Sequence, residues 1–239
     1  MNMGNVRRDI PVLRRLIKVS AVALGAGLVV TGCSPVKVGS AAIVGDQRIT
    51  IATLATEVTN LSQNAKLYPG TVQLSPEQET QQTLTWLVRF QINDELALQA
   101  GITVTPAQAQ KALAEIYAAA KANAQAQGIS NVTLNLILVA NGIPPNLAAE
   151  VGRYQAIDDQ FILQANGGKL PTSTAEQTAT TAKLQQARCV AAKSLNIQVN
   201  RQFGQLNYTQ YQVVSAPNLV AAPPGPAKPT PSAGLTPAC

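Results

Sequence analysis

Apolar residues recur every three or four positions along most of the chain, which is the spacing of an amphipathic α-helix. Several of these segments carry start and stop signals. Ser75 and Thr105 are each followed by proline, with glutamine three positions on. Ser173 has Glu176 at the same spacing, and Gly101 and Gly128 follow the ends of two segments. The pattern predicts helices over about 51–66, 75–100, 106–127, 131–140, 144–164 and 174–194.

The hydrophobic period changes to two near both ends of this helical region, which indicates strands. Residues 41–44 and 48–51 flank Gly45-Asp46 and predict a hairpin, while 196–200 and 211–214 alternate like closing strands. The predicted fold class is therefore mainly α, in the order hairpin, helices, strands. The 4% aromatic content and 46% hydrophobic content fit a helical core. Residues 215–239 are rich in proline and alanine and are predicted to be a disordered tail.

Residues 1–32 have the anatomy of a secretory signal peptide. An apolar stretch, Val19–Val30, follows a basic region and precedes two small residues. It is shorter than the roughly 20 residues that a membrane-spanning helix needs, which disfavours the alternative of a plain transmembrane anchor. The leader carries a net charge of +4, so the rest of the chain holds only +2 of the total +6 and gives no argument for nucleic-acid binding. The charged leader residues are Arg7, Arg8, Asp9, Arg14, Arg15 and Lys18.

Cys33 closes this leader in the phrase Val30-Thr31-Gly32-Cys33, which resembles the lipobox of bacterial lipoproteins. The resemblance implies diacylglyceryl transfer to the Cys33 thiol and cleavage between Gly32 and Cys33. Two acyl chains suffice for stable anchoring. We therefore expect a lipoprotein held at the extracytoplasmic face of the cell membrane, with residues 33–40 as a tether.

The other two cysteines, Cys189 and Cys239, would lie in an oxidising compartment. An intramolecular disulfide, two free thiols and an intermolecular bridge all remain open. The chain contains no histidine, which excludes Ser-His and Cys-His nucleophile pairs and histidine metal sites. The adjacent carboxylates Asp94-Glu95 and Asp158-Asp159 point about 100° apart on a helix and are predicted to be solvated. We expect no enzyme activity, no cofactor and no metal site.

The hairpin phrase AAIVGDQRIT precedes a helix, and the turn 98–113 joins two long helices. These features resemble the N-terminal domain of the SurA/PrsA/trigger-factor-like periplasmic chaperones, and the resemblance extends along residues 41–214. Segment 141–163 places Arg153 at the family's helical arginine, and IQVNRQFGQL at 197–206 is similar to its closing strand. That last match is partial, because no proline precedes Arg201 and Gln202 follows it.

The resemblance implies a SurA N-terminal-like helical domain over residues 41–214, in which the N-terminal hairpin and C-terminal strands form one small sheet. It implies a membrane-anchored holdase or foldase whose partners are unfolded or exported polypeptides. The parvulin isomerase domain of such proteins has no room in the short interval 165–173, so no isomerase activity is expected. Trp86, Phe90 and Tyr117 are candidates for an apolar client-binding surface, with core packing as the alternative for each. The alternative function is an accessory or structural envelope lipoprotein that binds one dedicated protein partner.

Overall fold

A computed structural model describes residues 38–69 and 72–216. The predicted signal peptide, the tether up to residue 37, the tail from residue 217 and the residues Gly32, Cys33 and Cys239 lie outside the described residues. The helices are α1 (Ile51–Ala65), α2 (Pro76–Ala100), α3 (Pro106–Ala126), α4 (Leu134–Ala140), α5 (Ala148–Ala165) and α6 (Thr174–Ser194). The strands are β1 (Ser40–Val44), β2 (Gln47–Thr50), β3 (Gln198–Val199), β4 (Gln205–Asn207) and β5 (Gln212–Val214).

The helix starts follow from local hydrogen bonds, as the sequence predicts. Ser75 Oγ accepts the Gln78 N–H at 3.2 Å, while Gln78 Oε1 accepts the Ser75 N–H at 2.8 Å. The same reciprocal capping box opens α3 at Thr105 and α6 at Ser173. Such a box satisfies main-chain donors that have no acceptor inside the helix, so it fixes the first residue of the helix.

The end of α2 is fixed by a left-handed glycine. Gly101 has a φ of 65°, and the next residue, Ile102, donates its N–H to Ala97 O at 2.8 Å. This backbone conformation favours glycine, and the bond caps a carbonyl left open at the helix end. Ile102 is buried, so the turn also anchors the start of the connection to α3.

Two predicted boundaries are wrong by a few residues. The short apolar helix α4 begins at Leu134 rather than 131, because Asn131 has a φ of 62° and Thr133 Oγ1 caps the Leu136 N–H at 3.1 Å. The helix predicted from Pro144 begins as a 3-10 turn, Pro145–Leu147, before α5.

The strands form two small antiparallel sheets, one with the order β2-β1-β3 and one containing β4 and β5. Ala42 lies opposite Val199, which confirms the predicted pairing of the N-terminal hairpin with the strand at 196–200. The prediction that the closing strands all join this one sheet is wrong. Segment 212–214 pairs instead with β4, which the sequence pattern missed, and Val213 N donates to Thr85 Oγ1 of α2 at 2.8 Å.

Helices α1, α2, α5 and α6 and both sheets share a main core around Leu84, Val88 and Ile92 of α2, whose side chains are almost fully buried. A second cluster joins α2 to α4 and α5 around Phe90, Leu138 and Val151. The fold is therefore mainly helical with a small antiparallel β component. Among the described residues, no helix is both long and apolar enough to cross a membrane.

Candidate functional site

An aromatic cluster joins α2 to α5. The Trp86 and Phe90 ring centroids lie 5.8 Å apart, and the Tyr154 ring stands edge-on to both, at 5.9 Å from Trp86 and 6.2 Å from Phe90. Trp86 and Phe90 are one helical turn apart, so both side chains lie on the same face of α2. The cluster combines two of the residues that the sequence proposes for client binding with a tyrosine that it does not.

The structure places the three proposed client-binding residues differently from one another. Phe90 is only 8% exposed, so its place on an accessible apolar surface is corrected to core packing. Trp86 is half-buried and donates its Nε1–H to Asn141 O at 3.1 Å. Tyr117 is half-buried on α3, outside the aromatic cluster, and its hydroxyl donates to Val132 O at 3.1 Å. Client binding by Trp86 and Tyr117 stays a prediction.

Two arginines stack on this aromatic cluster. The Arg89 guanidinium carbon lies 5.1 Å from the Trp86 ring centroid, and that of Arg188 lies 4.8 Å from the Tyr154 ring centroid. Arg89 also holds the loop before β5, because its Nε and Nη2 each donate at 3.0 Å, to Tyr211 O and to a neighbouring carbonyl. The face of an aromatic ring attracts a cation, so the rings fix both guanidinium groups in position.

Arg188 of α6 forms a buried ion pair with Asp158 of α5. Its Nη2 donates to Asp158 Oδ2, and its Nε donates to Asn93 Oδ1 of α2 at 3.3 Å. The Asp158 and Arg188 side chains are 10% and 11% exposed. Burial raises the pKa of the Asp158 carboxyl, an effect that the nearby Arg188 charge opposes. Burial likewise raises the pKa of the Tyr154 hydroxyl.

A cavity of about 760 Å³ opens beside these side chains. We call it the arginine pocket. Its polar lining includes Arg89, Arg188, Tyr154, Tyr211, Gln186 and Gln210. Cys189 also lines it. Cys189 is 6% exposed and takes part in a disulfide bond. Its candidate intramolecular partner, Cys239, lies outside the described residues, so the pairing of these two cysteines stays one of the open alternatives.

A second cavity, of about 920 Å³, lies between the start of α2 and the strands β3 and β4. We call it the strand groove. Its lining includes Glu77, Thr80, Val199, Arg201, Leu206 and Tyr208. Within the described residues β3 pairs only with β1, and β4 only with β5, so each strand has an open edge.

The register shows which main-chain groups face the open edge of β3. Val199 lies opposite Ala42, and the next residue, Asn200, donates its N–H to Ala41 O at 2.9 Å. Ladder bonds in an antiparallel pair fall on alternate residues, so the N–H and C=O of Val199 point away from β1. An extended peptide laid along this edge would meet both groups.

The open edge of β4 is identified in the same way. The partner strand β5 has one edge paired with β4 and the other next to α2, where the Val213 N–H donates to Thr85 Oγ1. Leu206 lies opposite Val213. By alternation, the main-chain N–H and C=O of Leu206 therefore face the open edge of β4.

Sequence reasoning missed Arg89, Arg188 and Tyr154 as site residues and misjudged Asp158. The prediction that Asp158-Asp159 is a solvated pair is wrong for Asp158, which is 7% exposed. Neither arginine belongs to a motif, and Tyr154 reads as one more apolar position of a helix. The partners come from α2, α5 and α6, so no spacing within one segment could have grouped them.

Comparison of the chain with protein-family models, with curated proteins and with solved structures finds no match. The two cavities and the side chains around them are therefore the candidate functional features of the chain.

Proposed function

We propose that the chain is an extracytoplasmic lipoprotein, anchored through Cys33, that holds extended segments of exported polypeptides as a holdase or foldase-type chaperone. The observation that supports this proposal is the strand groove, with open edges at β3 and β4. Strand addition to an open edge supplies main-chain hydrogen bonds to any sequence, so it suits a protein that binds many unfolded clients.

The distribution of exposed apolar side chains supports binding at strand edges over binding on a broad apolar cradle. The apolar faces of the helices are largely buried in the two core clusters. Large exposed apolar side chains among the described residues are scattered, and they are Val38, Leu67, Leu98, Ile129, Leu170 and Val190. Single exposed apolar residues are ordinary for a protein surface and do not mark a binding face.

We infer a SurA N-terminal-like domain, and the pairing of β1 with β3 supports it because this brings the two ends of the domain together. We expect the chain to have no prolyl isomerase activity. A proline tetrapeptide incubated with the full chain is expected to show uncatalysed cis–trans exchange.

The test changes one main-chain donor at the groove. Val199→Pro removes the outward N–H of β3 without removing a ladder bond to β1, whereas Val199→Thr keeps that N–H and a β-branched shape. The full chain, purified in mild detergent, is mixed at stoichiometric amounts with heat-unfolding citrate synthase, and aggregation is followed by light scattering. Wild type and Val199→Thr should slow aggregation, and Val199→Pro should do so much less. Failure of the wild-type chain to slow aggregation would overturn the chaperone proposal.

The alternative is an accessory lipoprotein with one dedicated protein partner. The mixed lining of the strand groove favours it, because Glu77 and Arg201 set opposite charges beside apolar residues such as Leu206. Fixed charges of this kind discriminate between partners. Cross-linking from Arg201 in intact cells distinguishes the two functions. One stoichiometric product supports the dedicated partner, and a broad distribution of products supports the chaperone.

A further inference from the structure

We propose that the arginine pocket binds a carboxylate group, supplied either by a polypeptide or by a free small organic acid. The inference does not depend on the chaperone proposal, because it concerns a different cavity and different side chains. It rests on the unused donors of two positioned arginines, on the local charge and on the lining of the pocket.

The guanidinium donors are only partly used by the protein. Arg89 uses its Nε and one Nη2 hydrogen on two carbonyls, and Arg188 uses its Nε on Asn93 and one Nη2 hydrogen on Asp158. Each guanidinium carries five N–H donors. Within the described part of the chain, both Nη1 hydrogens and one Nη2 hydrogen of each arginine are therefore without a protein acceptor.

The charge around these donors is not balanced. Asp158 pairs with Arg188, whereas Arg89 forms no ion pair among the described residues. The nearby Asp159 side chain accepts from Gln155 Nε2 at 2.8 Å. Burial lowers the pKa of Arg89, and the Arg188 charge adds to this lowering while Tyr154 opposes it. A bound anion would offset both the lost hydration and the repulsion between the two cations.

The geometry favours a planar oxyanion. Each guanidinium is held by an aromatic ring and by hydrogen bonds, so little side-chain freedom would be lost on binding. A guanidinium presents parallel donors that match the two oxygens of a carboxylate. Gln186 and Gln210 line the same pocket and offer amide donors around the group. Tyr208 lines both the arginine pocket and the strand groove, so the two cavities are adjacent. The end of a peptide bound in the arginine pocket would lie next to the strand groove.

The experiment measures binding to the full chain in mild detergent at neutral pH and constant ionic strength. The probes are an acetylated Ala-Leu-Val-Ala peptide with a free C-terminal carboxylate, the same peptide amidated, and sodium succinate. Calorimetry is performed on wild type, Arg89→Gln and Arg153→Gln. Arg153 is a matched control because its loss changes the net charge equally, and it lies in an exposed pair with Asp94 at 2.9 Å.

Wild type and Arg153→Gln should bind the free-carboxylate peptide or succinate, and Arg89→Gln should bind about tenfold more weakly or worse, as expected for a lost charged hydrogen bond. Loss of binding on amidation assigns the carboxylate to a polypeptide, whereas binding of succinate alone assigns it to a free acid. If neither carboxylate binds wild type, or if Arg89→Gln binds as wild type does, the proposal is overturned.

A second variant covers the case in which Arg89→Gln does not fold. Gln186 is exposed and makes no side-chain hydrogen bond within the described chain, so Gln186→Glu should fold normally. Its added negative charge at the pocket should weaken carboxylate binding by about fivefold, the effect of one like charge about 4 Å away across water. Unchanged affinity in Gln186→Glu would count against the site.

Discussion

Arg188 of α6 donates an Nη2 hydrogen to Asp158 Oδ2 of α5, at a depth where both side chains are about nine-tenths buried. This bond, with the Arg188 bond to Asn93 on α2, connects three helices around one guanidinium. Its neighbour Arg89 holds the loop before β5, so the same small region joins the helical body to the second sheet.

Removing one partner of the buried Arg188–Asp158 pair should lower the free energy of unfolding substantially, whereas replacing both partners should not. Arg188→Met leaves the Asp158 carboxylate buried without its counter-charge, so the free energy of unfolding should fall by about 3 to 5 kcal/mol at neutral pH. The double variant Arg188→Met/Asp158→Asn removes both charges and should recover most of this loss. Urea unfolding of each chain measures the difference. A double variant as unstable as the single one would contradict the expectation.

The exposed ion pair between Arg153 and Asp94 provides a comparison for the buried pair. Arg153 and Asp94 are joined at 2.9 Å, but their side chains are 47% and 42% exposed. Arg153→Gln should therefore change the free energy of unfolding by about 1 kcal/mol or less. A loss as large as that of Arg188→Met would show that Arg153 has a further structural role.

The raised pKa of Asp158 sets the sign of its pH dependence. The folded chain holds this proton more tightly than the unfolded chain, whose carboxyl titrates near 3.8. The contribution of Asp158 to stability is thus present in acid and is lost as the pH rises from 3.8 through the raised folded pKa. The unfolding free energy of wild type minus that of Asp158→Asn should decrease over this range and then level off. A difference that grows with pH would show that the Arg188 charge outweighs burial.

The contribution of Glu176 to stability should have the opposite pH dependence to that of Asp158. Hydrogen bonds from the Thr172 and Ser173 N–H groups lower the pKa of this capping-box carboxylate below 4.5. Its contribution is present above 4.5 and is lost as the pH falls through the lowered folded pKa. The unfolding free energy of wild type minus that of Glu176→Gln should therefore decrease on acidification. A pH-independent difference would mean that the glutamine cap replaces the carboxylate fully.

Gly152 of α5 packs directly against α3. A β-carbon placed on Gly152 would lie 2.4 Å from Ala109 O and 3.0 Å from Leu113 Cβ. Gly152→Ala should therefore destabilise the fold by about 1 to 3 kcal/mol. Helix propensity alone would give a gain of about 0.5 to 1 kcal/mol, so the sign measured by thermal or urea unfolding decides between the two.

Phe90 packs in the core, whereas Tyr117 is a candidate for client binding, and separate substitutions test the two roles. Phe90→Ala should lower the free energy of unfolding by about 3 to 5 kcal/mol, because it empties a core position. Tyr117→Phe removes only the hydrogen bond to Val132 O and should cost about 1 kcal/mol. If Tyr117 contacts clients, cross-linking from position 117 in intact cells should capture exported polypeptides. A chain that yields no such product from 117 would remove Tyr117 from the binding surface.

The proposed anchor predicts a change in lipid attachment and in processing. Cys33→Ser removes the thiol that would be lipidated, so the chain should lose incorporation of labelled palmitate and keep its uncleaved leader. Cys189→Ser provides the control, since it leaves the lipobox intact. Palmitate incorporation into Cys33→Ser at the wild-type level would refute the lipoprotein proposal.

Features that depend on residues within a few positions of each other follow from the sequence alone. The capping boxes at Ser75, Thr105 and Ser173 and the left-handed turn at Gly101 are confirmed, because each is completed by neighbours along the chain. Alternation along 41–50 was likewise enough to predict the hairpin. Pairing of this hairpin with β3 was expected from the resemblance to the chaperone family and is confirmed.

Which polar side chains meet depends on how the helices pack in three dimensions. Arg89, Asp158 and Arg188 come from three helices, and their grouping depends on how those helices pack around the Tyr154 ring. The same holds for β5, whose edge is taken by Thr85 of α2 instead of by β1. Long-range packing balances burial, charge and main-chain pairing across the whole domain, and no local pattern records that balance.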